Sequence, residues 1–386
     1  MLVATSVARD TRVLREAESL VGAGYEVLII GRDIPVQFQA QPGITLYSAS
    51  SGQGLRPAAM GSLTSKPLAV HLRIARWFLL PQHRARSFSV WRSAAYEVAV
   101  SLKFDAVHAH DFTALPLGAQ LSKERALPLI YDTHEWWLGR QRQYRATPFI
   151  DRREAAQEKQ LAGGKTEVIA VGDSIADLLR SKRGFKNVSV VRNSFPASPQ
   201  THGKVTSPPQ GIIYAGRIDA YRELEVIMGV AGKISESIIW MGEHENQWAA
   251  KNLPRARKMG IEILPSQSIS DVTAAMQRAG LAFVTHSNLF ESHRLAMPNK
   301  LFHAVHAGVP IIATEVTELA RIVRRYDIGE LYKPGDVNSM EAAISRARAR
   351  HQELIANVGR AQGELSWESD EEILLELYCR AMKGVN

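Results

Sequence analysis

Residues 12–21, RVLREAESLV, closed by Gly22 and Gly24 and followed by Val27-Leu28-Ile29-Ile30, decide the fold class. Val13, Ala17, Leu20 and Val21 recur at helical spacing, the glycines end the helix, and the apolar run after them is strand-sized. The segment reads as β-α-β. Working outward, Ala106–Ala109, Leu129–Tyr131 and Val168–Val171 are further buried-strand candidates, each followed by a polar turn and a helix-like stretch such as Ser174–Arg183. Strands alternating with helices predict a parallel, doubly wound sheet covered on both faces. The texture then changes at residues 194–210, SFPASPQTHGKVTSPPQ, rich in Pro, Ser and Thr, which reads as a linker. Beyond it the alternation restarts with Ile212-Ile213-Tyr214, then Ile238–Met241, Ile261–Leu264, Leu281–Val284 and Ile311-Ile312-Ala313. The expectation is an N-terminal domain over 1–193, the linker 194–210, a second α/β domain over 211–365, and a final helix at 366–386 packing back on the first domain. Open α/β sheets bind ligands outside the carboxyl ends of their strands, so the cleft between the two domains is the expected site.

Composition agrees with this reading. The chain has 386 residues, 45% hydrophobic and 22% charged, the balance of a globular protein with two sizeable cores. No apolar run reaches the 18 residues of a membrane span, and Leu2-Val3-Ala4-Thr5 follows the first methionine with no secretory pattern, so a cytoplasmic location is expected. The single cysteine, Cys379, excludes an internal disulfide and a zinc site built on paired cysteines. Net charge is +8, and between Arg56 and Lys103 eight basic residues face one acid, Glu97. Interleaved with Trp77, Phe78, Phe88 and Trp91, residues 56–103 read either as surface helices completing a core or as a basic amphipathic surface open to weak contact with an anionic membrane. No zinc-finger or RNA-recognition signature accompanies them, so nucleic acid is not an expected partner.

No G-x-G-x-x-G follows a strand and no Walker A sequence occurs, which disfavours dehydrogenases and P-loop nucleotidases. No two aspartates are separated by a single residue, so the usual carboxylate pair that holds a divalent ion against a diphosphate is absent. A bound diphosphate must then be neutralised by protein cations, and no metal is expected. Arg217, after Tyr214-Ala215-Gly216, and Arg222, near the start of a helix predicted over Glu223–Ala231, suit that task as fork donors. Lys300 is a third cation, in Pro298-Asn299-Lys300 at the start of another helical run.

Gly216-Arg217 with a cation at 222, then Pro298-Asn299-Lys300-Leu301-Phe302 and Ala307-Gly308-Val309-Pro310, resemble the glycosyltransferase family 4 type with the two-Rossmann (GT-B) fold. Asp10-x-Arg12-Val13-x-Arg15-Glu16-Ala17, Asp105–Asp111, Tyr131-Asp132-Thr133-His134-Glu135, Ser366-Trp367-Glu368 and Tyr378 are similar to that family's other motifs, so the resemblance spans nearly the whole chain. It implies two Rossmann-like domains facing across a cleft and a retaining, metal-independent, hexosyltransferase-like enzyme without a cofactor. The substrate implied is a nucleotide-diphosphate sugar held mainly by the second domain.

Carried over by residue, the resemblance puts Arg217 and Arg222 on the donor diphosphate and His110 beside the transferred sugar as the catalytic set. Gly216, Pro298, Asn299 and Lys300 join them in holding the donor, and Pro265 and Ser266 meet the base. Where the family commonly has two glutamates eight residues apart, this chain has Leu295 and His303, so Glu291 or Glu315 substitutes at the ribose, or His303 binds it through an imidazole. The acceptor side would draw on Asp10, Arg12, His134, Glu135, Trp136 and Trp137. The adjacent tryptophans beside a carboxylate suit a sugar ring or an ammonium group, unless they are core packing. The favoured acceptor is a small soluble molecule such as a thiol, an aminocyclitol or a natural-product precursor. A lipid-linked saccharide at a membrane surface, or a catalytically inactive partner subunit, are the other readings left open.

Overall fold

The computed structural model describes residues 1–49, 88–140, 148–197 and 205–383. Most of the basic segment 56–103 and residues 198–204 of the expected linker lie outside them. Two all-parallel sheets form the molecule. The first contains β1 (Leu2–Val3), β2 (Val27–Arg32), β3 (Ile44–Ala49), β4 (Val107–His110), β5 (Leu129–Thr133), β6 (Glu167–Ala170) and β7 (Val188–Val190), in the order β3-β2-β1-β4-β5-β6-β7. The second contains β8 (Gly211–Ala215), β9 (Ser237–Met241), β10 (Glu262–Leu264), β11 (Gly280–Val284), β12 (Ile311–Thr314) and β13 (Gly329–Tyr332), in the order β10-β9-β8-β11-β12-β13. Strand order reverses between β1 and β4 in one sheet and between β8 and β11 in the other, and such switch points open the crevices where α/β sheets take ligands.

Sequence patterning explains these strands. β4, β5, β6, β8, β11 and β12 are buried at every position, as strands must be when helices cover both faces of a parallel sheet. The edge strand β3 is instead mostly half-buried, with Thr45 and Ser48 exposed and Ala49 alone buried. The first sheet's helices include α1 (Thr11–Gly22), α2 (88–100), α3 (Asp111–Arg125), α4 (Pro148–Leu161) and α5 (Asp173–Leu178). α1 starts where the Asp10 carboxylate accepts from the Val13 amide at 3.2 Å, an N-cap bond. The second sheet is covered by α6 (Leu224–Val230), α7 (Gln247–Lys258), α8 (Ile269–Ala279), α9 (Glu291–Leu295), α10 (Asn299–His306), α11 (Thr317–Tyr326), α12 (Val337–Ala349) and α13 (His351–Ala361).

The last helix, α14 (Trp367–Lys383), lies on the first sheet's domain. Trp367, Leu374, Leu377 and Tyr378 share a core with Val13, Ala17 and Leu20, and Trp367 Nε1 donates to Ser19 Oγ at 2.9 Å. The two sheets meet through short α9. Leu295 at its end is buried in the first domain's core beside Trp136 and Tyr131, a burial worth about 1.5–3 kcal/mol for a leucine. Trp136 Nε1 donates to Glu291 Oε2 at 2.9 Å, and a Cβ on Gly139 would fall 2.7 Å from that of Glu291, so only a glycine allows so close an approach. On α11, Glu318 accepts from the Asp173 and Ser174 amides at 3.2 and 2.8 Å, tying the second domain to the start of α5. No helix among the described residues is long and apolar enough to cross a membrane.

Candidate active site

On the first domain, β4 and β5 lie side by side with His110 opposite Asp132, so their carboxyl ends deliver His108, His110, Asp132 and His134 to one place. The chain turns sharply after His110, and Asp111 adopts a φ of +65°, unusual for a residue with a Cβ. Asp132 is fully buried. It receives Arg12 through Nε at 2.8 Å and Nη2 at 3.0 Å, and His134 Nε2 at 3.0 Å, with His110 Nδ1 at 3.3 Å. Arg12 also faces Glu16 at 3.1 Å and donates to the Val191 carbonyl at 2.9 Å. Burial opposes charge throughout this cluster, and the outcome differs by residue. At Asp132, Arg12 and His134 outweigh burial and hold the carboxyl well below its usual range. At His134, Asp111 and Asp132 outweigh it and raise the imidazole to about 10. Burial wins at Glu16, pushed up to about 8 against the pull of Arg12, and at His108 and His110, which stay neutral.

Glu16, His108, His110 and Asp132 each place one ligand-type atom within 4.8 Å of the others. Arg12 already lies between the two carboxylates, and the rings of His108 and His110 stack at 4.1 Å, a face-to-face arrangement in which in-plane lone pairs run side by side. The cluster therefore reads as a charge network that fixes His110, with Tyr378 of α14 bonded to His108 Nδ1 at 2.8 Å. His110 Nε2 has no hydrogen-bond partner, and the residue is 1% exposed, so it meets a ligand only after a neighbouring group moves.

On the second domain the chemistry is cationic. Gly216 follows β8 with a φ of +151°, and the next turn packs so closely that a Cβ on Gly242 would lie 2.0 Å from the Gly216 carbonyl oxygen. Arg217 is 62% exposed and lies 3.3 Å from Asp219. Arg222 donates from Nη1 to His286 Nε2 at 2.7 Å. Lys300 donates to the Thr285 carbonyl at 2.6 Å and lies 4.7 Å from the centre of the Tyr214 ring. Among the described residues neither Arg222 nor Lys300 forms an ion pair with a carboxylate. The crowding shows in proton affinities: burial and then Arg222 lower Lys300 well below its ordinary value, and burial, Lys300 and Arg222 bring His286 down to about 2. Burial and Arg222 bring His293 to about 4. Two cations held together without an acid make a site for a polyanion.

The predicted residues divide between exposed positions and ones engaged inside the protein. α10 begins at Asn299 after Pro298, as its start signal implied, and Asn299 Oδ1 accepts from Asn193 Nδ2 at 2.8 Å. α6 begins at Leu224 rather than Glu223, because Tyr221 and Glu223 both take positive φ and the Glu223 carboxylate accepts from the Gly335 amide at 2.6 Å. The anion site thus rests on side-chain cations. Pro265 and Ser266 are exposed beyond β10. Arg12 is 3% exposed and fully engaged inside the first domain, so it supports Asp132 from behind. The rings of Trp136 and Trp137 already carry protein cations, Arg183 at 4.5 Å and Arg140 at 3.4 Å, and Trp137 Nε1 donates to Glu154 at 3.0 Å. Glu135 is half-buried, and burial followed by Asp111 raises its carboxyl to about 7. Glu291 holds Trp136, and Glu315 pairs with Arg324. His303 bonds Thr273 Oγ1 at 2.9 Å and stacks on Phe195 at 5.1 Å, and burial brings it to about 4. Sequence reading passed over His286 and Thr285, although both directly follow the predicted strand Leu281–Val284, where strand-end residues face a ligand.

Two Rossmann-like domains joined across their strand ends, one of them carrying an acid-free pair of cations, define a GT-B glycosyltransferase that uses a nucleotide sugar. Residues 10–197 match Glycosyltransferase Family 4 and residues 209–349 match Glycosyl transferases group 1, and the chain belongs to the glycosyltransferase family 4 type. No curated protein matches the sequence. Among solved structures it resembles sucrose-phosphate synthase from Thermosynechococcus elongatus, with a TM-score of 0.73, 16% identity and 99% of each chain covered. It also resembles Anabaena HepE in complex with UDP, TM-score 0.65, and with UDP-glucose, TM-score 0.64, each at 14% identity over 98% of both chains.

Proposed function

We propose that this transferase works in the cytoplasm, needs no metal, retains the anomeric configuration of the donor sugar and glycosylates a small soluble acceptor. The observation that carries the reading is the pair Arg222 and Lys300, held together by Thr285 and His286 with no carboxylate between them. When the glycosidic bond breaks, negative charge builds on the leaving diphosphate, and fixed positive groups stabilise it more than they stabilise the ground state. Two cations do there what a divalent ion does in other transferases. Arg217, largely exposed beside Asp219, is free to swing onto the same diphosphate. On the opposite side, the unpartnered Nε2 of neutral His110 accepts a hydroxyl of the transferred sugar. The Glu135 carboxyl, near 7, faces the acceptor as a hydrogen-bond partner able to exist in either form at neutral pH. Retention is what the family type implies.

UDP, the nucleotide seen with HepE, is the first to test. Isothermal titration with UDP in EDTA should show binding that Arg222→Ala weakens strongly, and turnover with UDP-sugars should survive EDTA. Product NMR should show the anomeric configuration of the donor. Activity lost in EDTA and restored by magnesium or manganese would overturn metal independence. An inverted product would overturn retention.

A further inference from the structure

We infer that His286 is the positioning residue for Arg222, a neutral imidazole that orients the guanidinium on the donor diphosphate without cancelling its charge. This rests on the reading of Arg222 as a diphosphate cation. An arginine is most often fixed by a carboxylate, because the fork of donors matches two oxygens. At a site meant for a diphosphate that solution defeats itself, since the pair is already neutral when the ligand arrives. Here the acceptor is His286 Nε2, 2.7 Å from Arg222 Nη1.

The surrounding chain is built around that contact. Tyr221 and Glu223, on either side of Arg222, have φ of +65° and +57°, conformations that residues with a Cβ adopt only when their surroundings impose them. Three consecutive residues at the end of β11 impose it. Thr285 Oγ1 donates to the Arg222 carbonyl at 2.6 Å, His286 accepts from its guanidinium, and the Ser287 amide donates to the Tyr221 carbonyl at 3.1 Å. The His286 amide donates to Thr314 Oγ1 at 3.0 Å, which in turn donates to the Tyr332 hydroxyl at 2.8 Å, so the histidine is anchored to β12 and β13. Thr285 also receives Lys300 through its carbonyl, so one tripeptide places both cations.

The imidazole cannot become a competing cation. Buried, and faced by Lys300, Arg222 and His293, it stays neutral across the working pH range. Since Nε2 accepts, Nδ1 carries the ring proton.

Three substitutions separate orientation, charge and packing. His286→Gln keeps a neutral acceptor near the Nε2 position, His286→Glu keeps the acceptor but adds the cancelling charge, and His286→Phe keeps the shape without an acceptor. Binding of UDP, ADP or GDP, whichever the wild type takes, is measured beside donor KM, acceptor KM and kcat. The expected order is Gln within about threefold of wild type in nucleotide affinity and Phe clearly weaker. Glu should be at least tenfold weaker, with acceptor KM unchanged in all three. Equal losses in Gln and Phe would make His286 a packing residue and overturn the inference, even if the Glu variant failed to fold. Glu binding as tightly as Gln would overturn the charge argument. An Arg222→Ala variant measured in parallel keeps the two readings apart: unchanged nucleotide affinity there removes Arg222 from the donor site altogether.

Discussion

Replacing Asp132 with asparagine tests the charge network behind His110. The side chain keeps its size but loses the charge that Arg12 meets at 2.8 and 3.0 Å and His134 at 3.0 Å, all where Asp132 and Arg12 are 0 and 3% exposed. Breaking a buried ion pair from one side costs about 3–5 kcal/mol, because the remaining charge cannot return to water. Glu16 cannot fully take over, since burial, the largest cause that raises its carboxyl, persists when the lesser push from the Asp132 charge is gone. His134 can shed its proton once Asp132 no longer holds it, which removes one of the two stranded charges and favours the lower end of that range. At roughly 2–4 °C per kcal/mol for a unit of this size, the melting transition should fall by about 6–12 °C at pH 7. Circular dichroism melts at fixed protein concentration read this directly. The double variant Arg12→Met/Asp132→Leu should lose less than the sum of its singles, because the arginine leaves with its partner and His134 can shed its proton. A fall under about 3 °C for Asp132→Asn, or strict additivity in the double variant, would refute the idea that the network is held by charge.

Three further outcomes follow from particular contacts. His110→Ala should reduce turnover far more than nucleotide affinity, as calorimetry beside steady-state rates will read, because we propose that its free Nε2 meets the transferred sugar; collapsed affinity with preserved turnover would make it a binding residue. His134 titrates near 10 when folded against about 6.5 in a free chain, so its stabilisation is complete below pH 6.5 and disappears as pH rises through 10. The gap in melting temperature between wild type and His134→Gln should therefore close over that window, and a gap independent of pH would mean that His134 is not charged. Trp136→Phe removes the bond to Glu291, a contact between domains, and should cost about 1 kcal/mol while raising donor and acceptor KM together; a change in acceptor KM alone would return the ring to the acceptor pocket.

Strand and helix identities were legible because burial on both faces leaves an unbroken apolar run, as at Ile212–Tyr214 and Leu281–Val284, and the glycine and proline signals beside them mark where chains turn. The short or edge strands β3, β7 and β13 lack such runs and went unread, since three to six residues, most of them partly exposed, carry little periodic signal. Residue types also sufficed to single out Arg222 and Lys300 as candidate cations for an anionic ligand. Their partners were a different matter. Asp132 and Arg12 are 120 residues apart, Trp136 and Glu291 155, and Arg222 and His286 64. Whether an arginine is neutralised or left charged, and whether a tryptophan ring is open to a ligand or already covered by Arg183, depends on which distant side chain the sheet register delivers beside it. Local sequence by itself determined the two doubly wound domains, because periodicity is a property of neighbours along the chain, and its short motifs carried the resemblance to the glycosyltransferase family 4 type. Tertiary structure alone decided which of the charged and aromatic groups remain available, because burial and pairing are fixed only when segments far apart in sequence come into contact.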